Sequence, residues 1–248
     1  MRYLVVLVIL MCSHFAHSKT IKVAAIDWCP QICVDNEQKG YVLDLVEAVF
    51  KDSEYQLDIE YLPWSRAIQY VRIGKADALL SPAKAEAPEL IFPTYQVGQQ
   101  RMCFFTRQDS LWQYKGPESL KNMQIGIAAD SSIEELNEYV RLNQNQFQFQ
   151  PYHGRYIIQN AHKLDKKRMD AFLFTLNSTK YTLQQANEWS KYREAGCVSN
   201  ANIYMAFTPA KHLQAETAQM IKFFDQRMAS IDKTAFKDKL MASYGLTQ

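Results

Sequence analysis

Two stretches of this chain run through the same order of local patterns, and that order restricts the fold more than any other feature. In the first, Ile21, Val23 and Ala25 alternate, and Val42, Leu45, Val46 and Val49 recur at helical spacing. Leu57, Ile59 and Tyr61 alternate again, Trp64, Ala67, Ile68 and Val71 make a second helical stripe, and residues 75–80 are a short apolar strand. Period two marks strands and a period near 3.6 marks helices. The second stretch begins after Lys115-Gly116-Pro117. Residues 123–127 read as a strand, and Ser132-Ile133-Glu134-Glu135 as a capping box that opens a helix. Phe147 and Phe149 alternate, Ile157, Ile158, Ala161 and Leu164 form a stripe, and residues 168–174 are a further strand. Strands separated by single helices imply parallel β-α-β units with right-handed crossovers, hence an α/β fold built of two units. Residues 102–107 leave the first unit and residues 203–208 return to it. Two more helices are expected near 215–229 and 234–244.

Residues 1–18 stand apart. Arg2 is followed by an apolar run over 4–11, and Ala16-His17-Ser18 has the small-x-small form of a cleavage site. The run is about half of the roughly 20 residues that span a bilayer. Met11 is too bulky to precede a lipidated cysteine at Cys12. The expectation is a removed signal peptide and export to the periplasm. What remains of the 248 residues suffices for two lobes of about 100 residues each.

The charge is close to balanced, with 28 basic and 26 acidic residues. Nucleic-acid binding needs a concentrated basic surface. The densest basic run, 163–168, is interrupted by Leu164 and Asp165 and reads as a solvated helix end. Past the leader, Cys29, Cys33, Cys103 and Cys197 remain. An even count in an exported chain favours disulfides. Four cysteines allow three pairings; Cys29 and Cys33 bound a short loop that can close on itself and are the first choice of bridge, with Cys103 and Cys197 then paired or free. No further His or Cys lies near Cys29 and Cys33 to complete a metal site. His153, His162 and His212 are dispersed, and neither a phosphate loop, a Gly-x-Ser-x-Gly elbow nor a His-Glu-x-x-His motif occurs. No cofactor, metal or catalytic constellation is expected.

The ordered set I-K-V-A-A-I-D-W-C-P, G-Y-V-L-D-L-V-E-A-V-F, L-D-I-E-Y-L-P-W-S-R-A-I-Q-Y-V-R-I-G-K-A-D-A-L-L and L-I-F-P-T-Y resembles the first lobe of the periplasmic solute-binding proteins of family 3, the polar amino acid type. The resemblance runs over nearly the whole chain after the leader. It implies a two-lobed periplasmic-binding-protein-like fold with two hinge crossings. Residues 19–106 and 204–248 would form one lobe and 107–203 the other, with the last helices returned to the first lobe. It implies a monomer that catches a small polar solute between the lobes, without turnover, and hands it to an inner-membrane ABC permease. A receptor for a membrane signalling partner and a dehydratase-like enzyme are alternatives on the same fold.

On the residues, Asp27 and Trp28 follow the first strand, where the family packs an aromatic side chain on the ligand. Trp28 would otherwise cover the lobe. Arg66 sits near a helix start, where the dipole disfavours a cation, so an acidic partner or the ligand is expected to hold it. Trp64 shares the apolar stripe and reads as core. Ser81 ends the third strand, where the family offers a hydroxyl. Asp130, Ser131 and Ser132 match a helix start suited to a polar oxygen. Tyr95, Arg101 and Tyr152 are further cleft candidates. At two positions the chain departs from the family. Glu86 stands where amino acid binders carry the Arg that forks onto the solute carboxylate, and Lys84 is the nearest cation. Thr175, with Asn177 close by, stands where an Asp holds the solute ammonium. An amino-acid-like solute other than a standard α-amino acid is therefore expected.

Overall fold

A computed structural model describes residues 18–244, apart from 35–36, 130, 232–238, 240–241 and the side chain of Ser199. Residues 1–17 and the greater part of the helix expected over 234–244 therefore lie outside the described residues. Strand β1 (Lys19–Ala25) leads through helix α1 (Tyr41–Phe50) to β2 (Tyr55–Tyr61), and through α2 (Trp64–Arg72) to β3 (Ala78–Ala83). After the long strand β4 (Gly98–Arg107), the second unit runs β5 (Ile125–Ala128), α3 (Asn137–Leu142), β6 (Phe147–Gln150), α4 (Tyr156–Asp165), β7 (Ala171–Thr175) and α5 (Leu176–Gln185). Strand β8 (Tyr192–Phe207) and α6 (Gln214–Ser230) follow.

Both units have the expected parallel arrangement. In each, the first strand is central: β1 pairs with β2 and β3, and β5 pairs with β6 and β7. The sequence treats the units as separate lobes, yet strand pairing runs unbroken in the order β2-β1-β3-β8-β4-β7-β5-β6. The two crossing strands are the cause. β4 and β8 pair with each other antiparallel from Gly98–Ile203 to Arg107–Tyr192, while β8 also pairs with β3 and β4 with β7.

The helical stripes bury as their spacing demands. Val42, Leu45, Val46 and Val49 of α1 are buried, as are Trp64, Ala67, Ile68 and Val71 of α2. β2 is an edge strand, and Tyr61 at its end is 38% exposed, so its alternation does not seal the core there. α6 returns to the first unit: Phe223 stacks on Phe50 at 5.6 Å, and Arg227 Nε donates to the Val49 carbonyl at 2.9 Å.

The capping box takes another form. Residues 134–136 make a 3-10 turn before α3, and Ser132 Oγ accepts from the Glu134 amide at 3.3 Å. Asn137, not Glu135, reaches back: its Oδ1 accepts from the Ile133 amide at 2.9 Å and its Nδ2 donates to Ser132 Oγ at 3.0 Å. Both cysteine pairs are bonded, Cys29 to Cys33 and Cys103 to Cys197.

Candidate functional site

The loop after β1 is tied into a compact knot. Trp28 N donates to the Ile32 carbonyl at 2.7 Å, Ile32 N returns to the Trp28 carbonyl at 3.1 Å, and the Cys29–Cys33 disulfide closes the loop. Gly40 lies against this loop with φ of 101°, and a Cβ there would fall 2.4 Å from the Gln31 carbonyl oxygen. Only glycine fits such a conformation and approach. The knot fixes Trp28, whose Nε1 donates to Thr175 Oγ1 at 3.0 Å, on the far side of the hinge strands. Three more hydrogen bonds cross with it. Tyr152 OH donates to the Asp27 carbonyl at 2.7 Å, Ser178 Oγ to Gln31 Oε1 at 3.1 Å, and the Ser132 amide to Glu86 Oε1 at 3.3 Å.

Beside these contacts lies a cavity of about 40 Å³. A water needs roughly 10–15 Å³ on this measure, so the closed cavity holds a few waters and nothing as large as an amino acid. Ile26, Trp28, Trp64 and Glu86 line it from the first unit, and Ala128, Ala129, Ser131, Tyr152, Phe174 and Thr175 from the second. Gln100 and Met102 contribute from hinge strand β4. Met102 and Thr175 stand opposite each other in the β4–β7 register, and Gln100 follows on the same face by the period of two.

Glu86 is the acidic side chain of the lining. Burial pushes its pKa up from 4.5 to about 7; the Ala83 and Ser132 amides draw it down, and nearby Glu134 raises it further. The Ala83 amide donates to Glu86 Oε2 at 2.8 Å. Tyr152 is held far above the ordinary phenol range by burial and by Asp27, so its hydroxyl stays protonated. Gln100 is 5% exposed, and its Nε2 has no hydrogen-bond partner among the described residues. A buried donor left unpaired is costly. This one lines the cavity.

Of the residues singled out from the sequence, Trp28, Ser131 and Thr175 line the cavity, and Tyr152 does so among the further candidates. Ser131 Oγ donates to the Ala128 carbonyl at 2.9 Å, and Ser132, one residue on, meets Glu86 through its amide. Asp27 lies outside the lining, exposed, with its Oδ1 accepting from the Val34 amide at 3.2 Å. Asp130 falls outside the described residues.

The other candidates are placed elsewhere. Arg66 is exposed, because two residues along a helix is about 200° of rotation from the buried Trp64. Lys84 reaches over the rings of Tyr204, at 5.2 Å, and Phe92, at 6.0 Å. Ser81 has left-handed backbone, φ 71°, at a register shift in β3, which takes it out of the strand's alternation. It is buried, its Oγ is unpaired among the described residues, and it does not line the cavity. Tyr95 packs on the core beside Asp225 of α6, which accepts from its amide at 3.3 Å. Asn177 lies inside α5, where helical rotation carries it to a hydrogen bond with Tyr41. Arg101 alternates outward on β4. Trp64 belongs to the core stripe as expected and also lines the cavity. Cys103, Cys197 and Glu194 come within ligand distance of one another, but both sulfurs are spent in the disulfide.

The architecture matches solved structures over most of its length. A histidine kinase sensor domain with similarity to periplasmic binding proteins superposes with a TM-score of 0.73 at 17% identity, over 92% of this chain and 96% of that one. The chain has the periplasmic-binding-protein fold. A substrate-binding protein of an ABC uptake transporter from Streptococcus pneumoniae, with bound histidine, gives 0.71 at 14% identity over 93% of this chain and 94% of its own. An ancestral arginine-binding protein bound to glutamine gives 0.69 at 15% identity over 91% and 97%. No protein-family model matches the chain, and no curated protein sequence matches it. In this binding-protein fold the cavity lies where the two units meet, at the carboxyl ends of β1, β5 and β7, as open α/β sheets place their ligands.

Proposed function

We propose that this protein captures a small polar solute in the cavity between its two units, without turnover, and presents it to an inner-membrane ABC permease from the periplasm. The lobes of this reading are residues 19–106 with 204–248, and 107–203. The observation that carries it is the cavity itself, lined from both units and from a hinge strand, with aromatic side chains and an unpaired amide. A solute that touches both units favours the closed form, because only differential contact shifts such an equilibrium. Solved proteins of this fold that bind histidine and glutamine support the reading. Among the described residues, no helix is long and apolar enough to cross a membrane.

Mass spectrometry of small molecules released from gently purified protein identifies the solute and tests the reading. Titration of that solute against Trp28→Ala follows. We expect affinity to fall about tenfold or more, an aromatic anchor being worth about 1–3 kcal/mol. Unchanged affinity would remove Trp28 from the site. Trp28 is also 4% exposed and bonded to Thr175, so the melting temperature of the empty variant is measured alongside to separate packing from recognition.

One observation favours a second reading, a receptor that reports the solute to a membrane signalling partner: the likeness to a histidine kinase sensor domain. Co-purification with a sensor kinase rather than a permease decides for it. A dehydratase-like activity would use Glu86 as the cavity acid, and turnover assays on aromatic-acid precursors test that use.

A further inference from the structure

A cavity lined by one carboxyl group and no base selects its contents by charge. Among the described residues, no Lys, Arg or His lines it, and the nearest cation in sequence, Lys84, is turned onto Tyr204 and Phe92. The groups acting on Glu86 are the Ala83 amide from its own turn, and the Ser132 amide and Glu134 from the segment after β5. Glu134 is a second acid, partly buried, whose Oε1 has no hydrogen-bond partner among the described residues. Four aromatic side chains, Trp28, Trp64, Tyr152 and Phe174, make up much of the remaining wall. Aromatic faces attract cations, indole most strongly, and more so when water is excluded. A carboxylate entering this space would meet Glu86, with Glu134 behind it and no base in the lining. A neutral polyol would pair Gln100 and leave the Glu86 charge uncompensated.

We propose that the solute of this cavity is a small organic cation without a carboxylate, a primary amine or alkylated ammonium, with Glu86 as its counter-ion and the aromatic side chains around it. Gln100, 5% exposed with an unpaired Nε2, adds the requirement for a hydrogen-bond acceptor such as a hydroxyl on the same molecule. The proposal rests on the solute-capture reading and fixes the charge of what is captured. It places the standard α-amino acids, each with a carboxylate, among the poor ligands. The closed cavity of about 40 Å³ fits only a small head group, so larger cations enter with the two units apart.

The test is calorimetric titration of the exported protein, freed of bound solute by unfolding and refolding. The probes are amine and amino acid pairs that differ only by a carboxylate: ethanolamine and serine, histamine and histidine, tyramine and tyrosine. Choline, glucose and succinate complete the panel. We expect at least one of the four cations to bind, and the amino acid of each pair to bind at least 100-fold more weakly than an amine that binds. Affinity for the cation rises about tenfold per pH unit towards pH 7 and levels off above it, as Glu86 gives up its proton before the cation arrives. Glu86→Gln lowers cation affinity at least tenfold and removes this pH dependence, while Glu134→Gln tests the second acid on its own. A cation that binds with the same affinity and pH profile to wild type and Glu86→Gln overturns the assignment of Glu86. Binding of an amino acid, succinate or glucose in preference to every cation overturns the charge class and leaves solute capture standing. Binding of no probe, together with no small molecule released from the purified protein, overturns both.

Discussion

Glu86→Gln is expected to gain about 2–3 kcal/mol of stability over the wild type, in the empty protein, between pH 4 and pH 8. In the unfolded chain this carboxyl loses its proton near 4.5, and in the folded protein burial and the neighbouring Glu134 delay the loss to about 7. Across that window the native state holds more protons than the unfolded state, so stability from this group falls as pH rises. Below it both states are protonated and no penalty exists. Above it the buried charge carries its full cost. One pKa unit corresponds to about 1.4 kcal/mol. Glutamine keeps the shape and removes the charge, at the cost of an amide N–H placed towards the Ala83 or Ser132 amide. Denaturant titration of both proteins at several pH values checks the sign: the difference should grow from about pH 4.5 to 7 and then hold. A wild type more stable than the variant near pH 8 would show that Glu86 is charged and paired in the empty protein. Without a counter-ion, the ionised Glu86 destabilises the empty protein above about pH 7, and that deficit is what a bound cation would relieve.

The fold was legible wherever one face of an element is apolar and the other wet. Both stripes of the first unit bury in full, and Ile157, Ala161 and Leu164 of α4 do the same. α5 gives no such signal. It buries Ser178, Thr179 and Leu183, and Ser178 is satisfied by Gln31 across the cleft, so polar residues occupy positions where a stripe would show leucine. The first half of β8 is hidden for a related reason. Arg193 lies in it with its guanidinium bound by the carbonyls of Ser110 and Trp112, which interrupts any apolar alternation.

The site was legible only at strand ends. Trp28 is marked by its position after the first strand and Thr175 by standing where the family carries an Asp, and both line the cavity. Arg66, Lys84 and Asn177 were chosen by charge or nearness in sequence, and helical rotation or a nearby ring takes each away. Gln100 and Met102 are missed, because a hinge strand contributes to a cavity through its register, which hydropathy does not report; Phe174, on β7, reads only as part of an apolar strand. A signal did exist: Gly98, Gln100 and Met102 occupy the buried alternate positions of β4, and a glutamine among them needs a partner. Glu86 is marked in the sequence by its departure from the resemblance and as the cleft acid a dehydratase would need, with no hint that two amides hold it at the cavity wall.

Replacing Cys103 and Cys197 together by alanine is expected to cost about 3–5 kcal/mol, more than the same change at Cys29 and Cys33. A disulfide stabilises mainly by restricting the unfolded chain, and the restriction grows with the loop it closes. The two cysteines are 94 positions apart, against four for Cys29 and Cys33. Loop-closure entropy gives about 4.7 kcal/mol for a loop of roughly 100 residues and about 2 kcal/mol for the short one. Native contacts add to the difference. Cys103 and Cys197 face each other across β4 and β8, the two strands that join the units, at a place where their register shifts. The bond therefore staples the junction where backbone pairing is irregular. Denaturant midpoints of the two double variants, measured beside the oxidised wild type, give the comparison, and peptide mapping without reduction confirms which sulfurs are bonded. Free thiols at 103 and 197 in protein isolated without reductant, or an equal loss from the two variants, would refute this account. If the staple also sets how far the units part, loss of the long-range bond should weaken solute binding where loss of the short one changes only the knot that holds Trp28. The two variants then separate the hinge's contribution to capture from that of the aromatic wall.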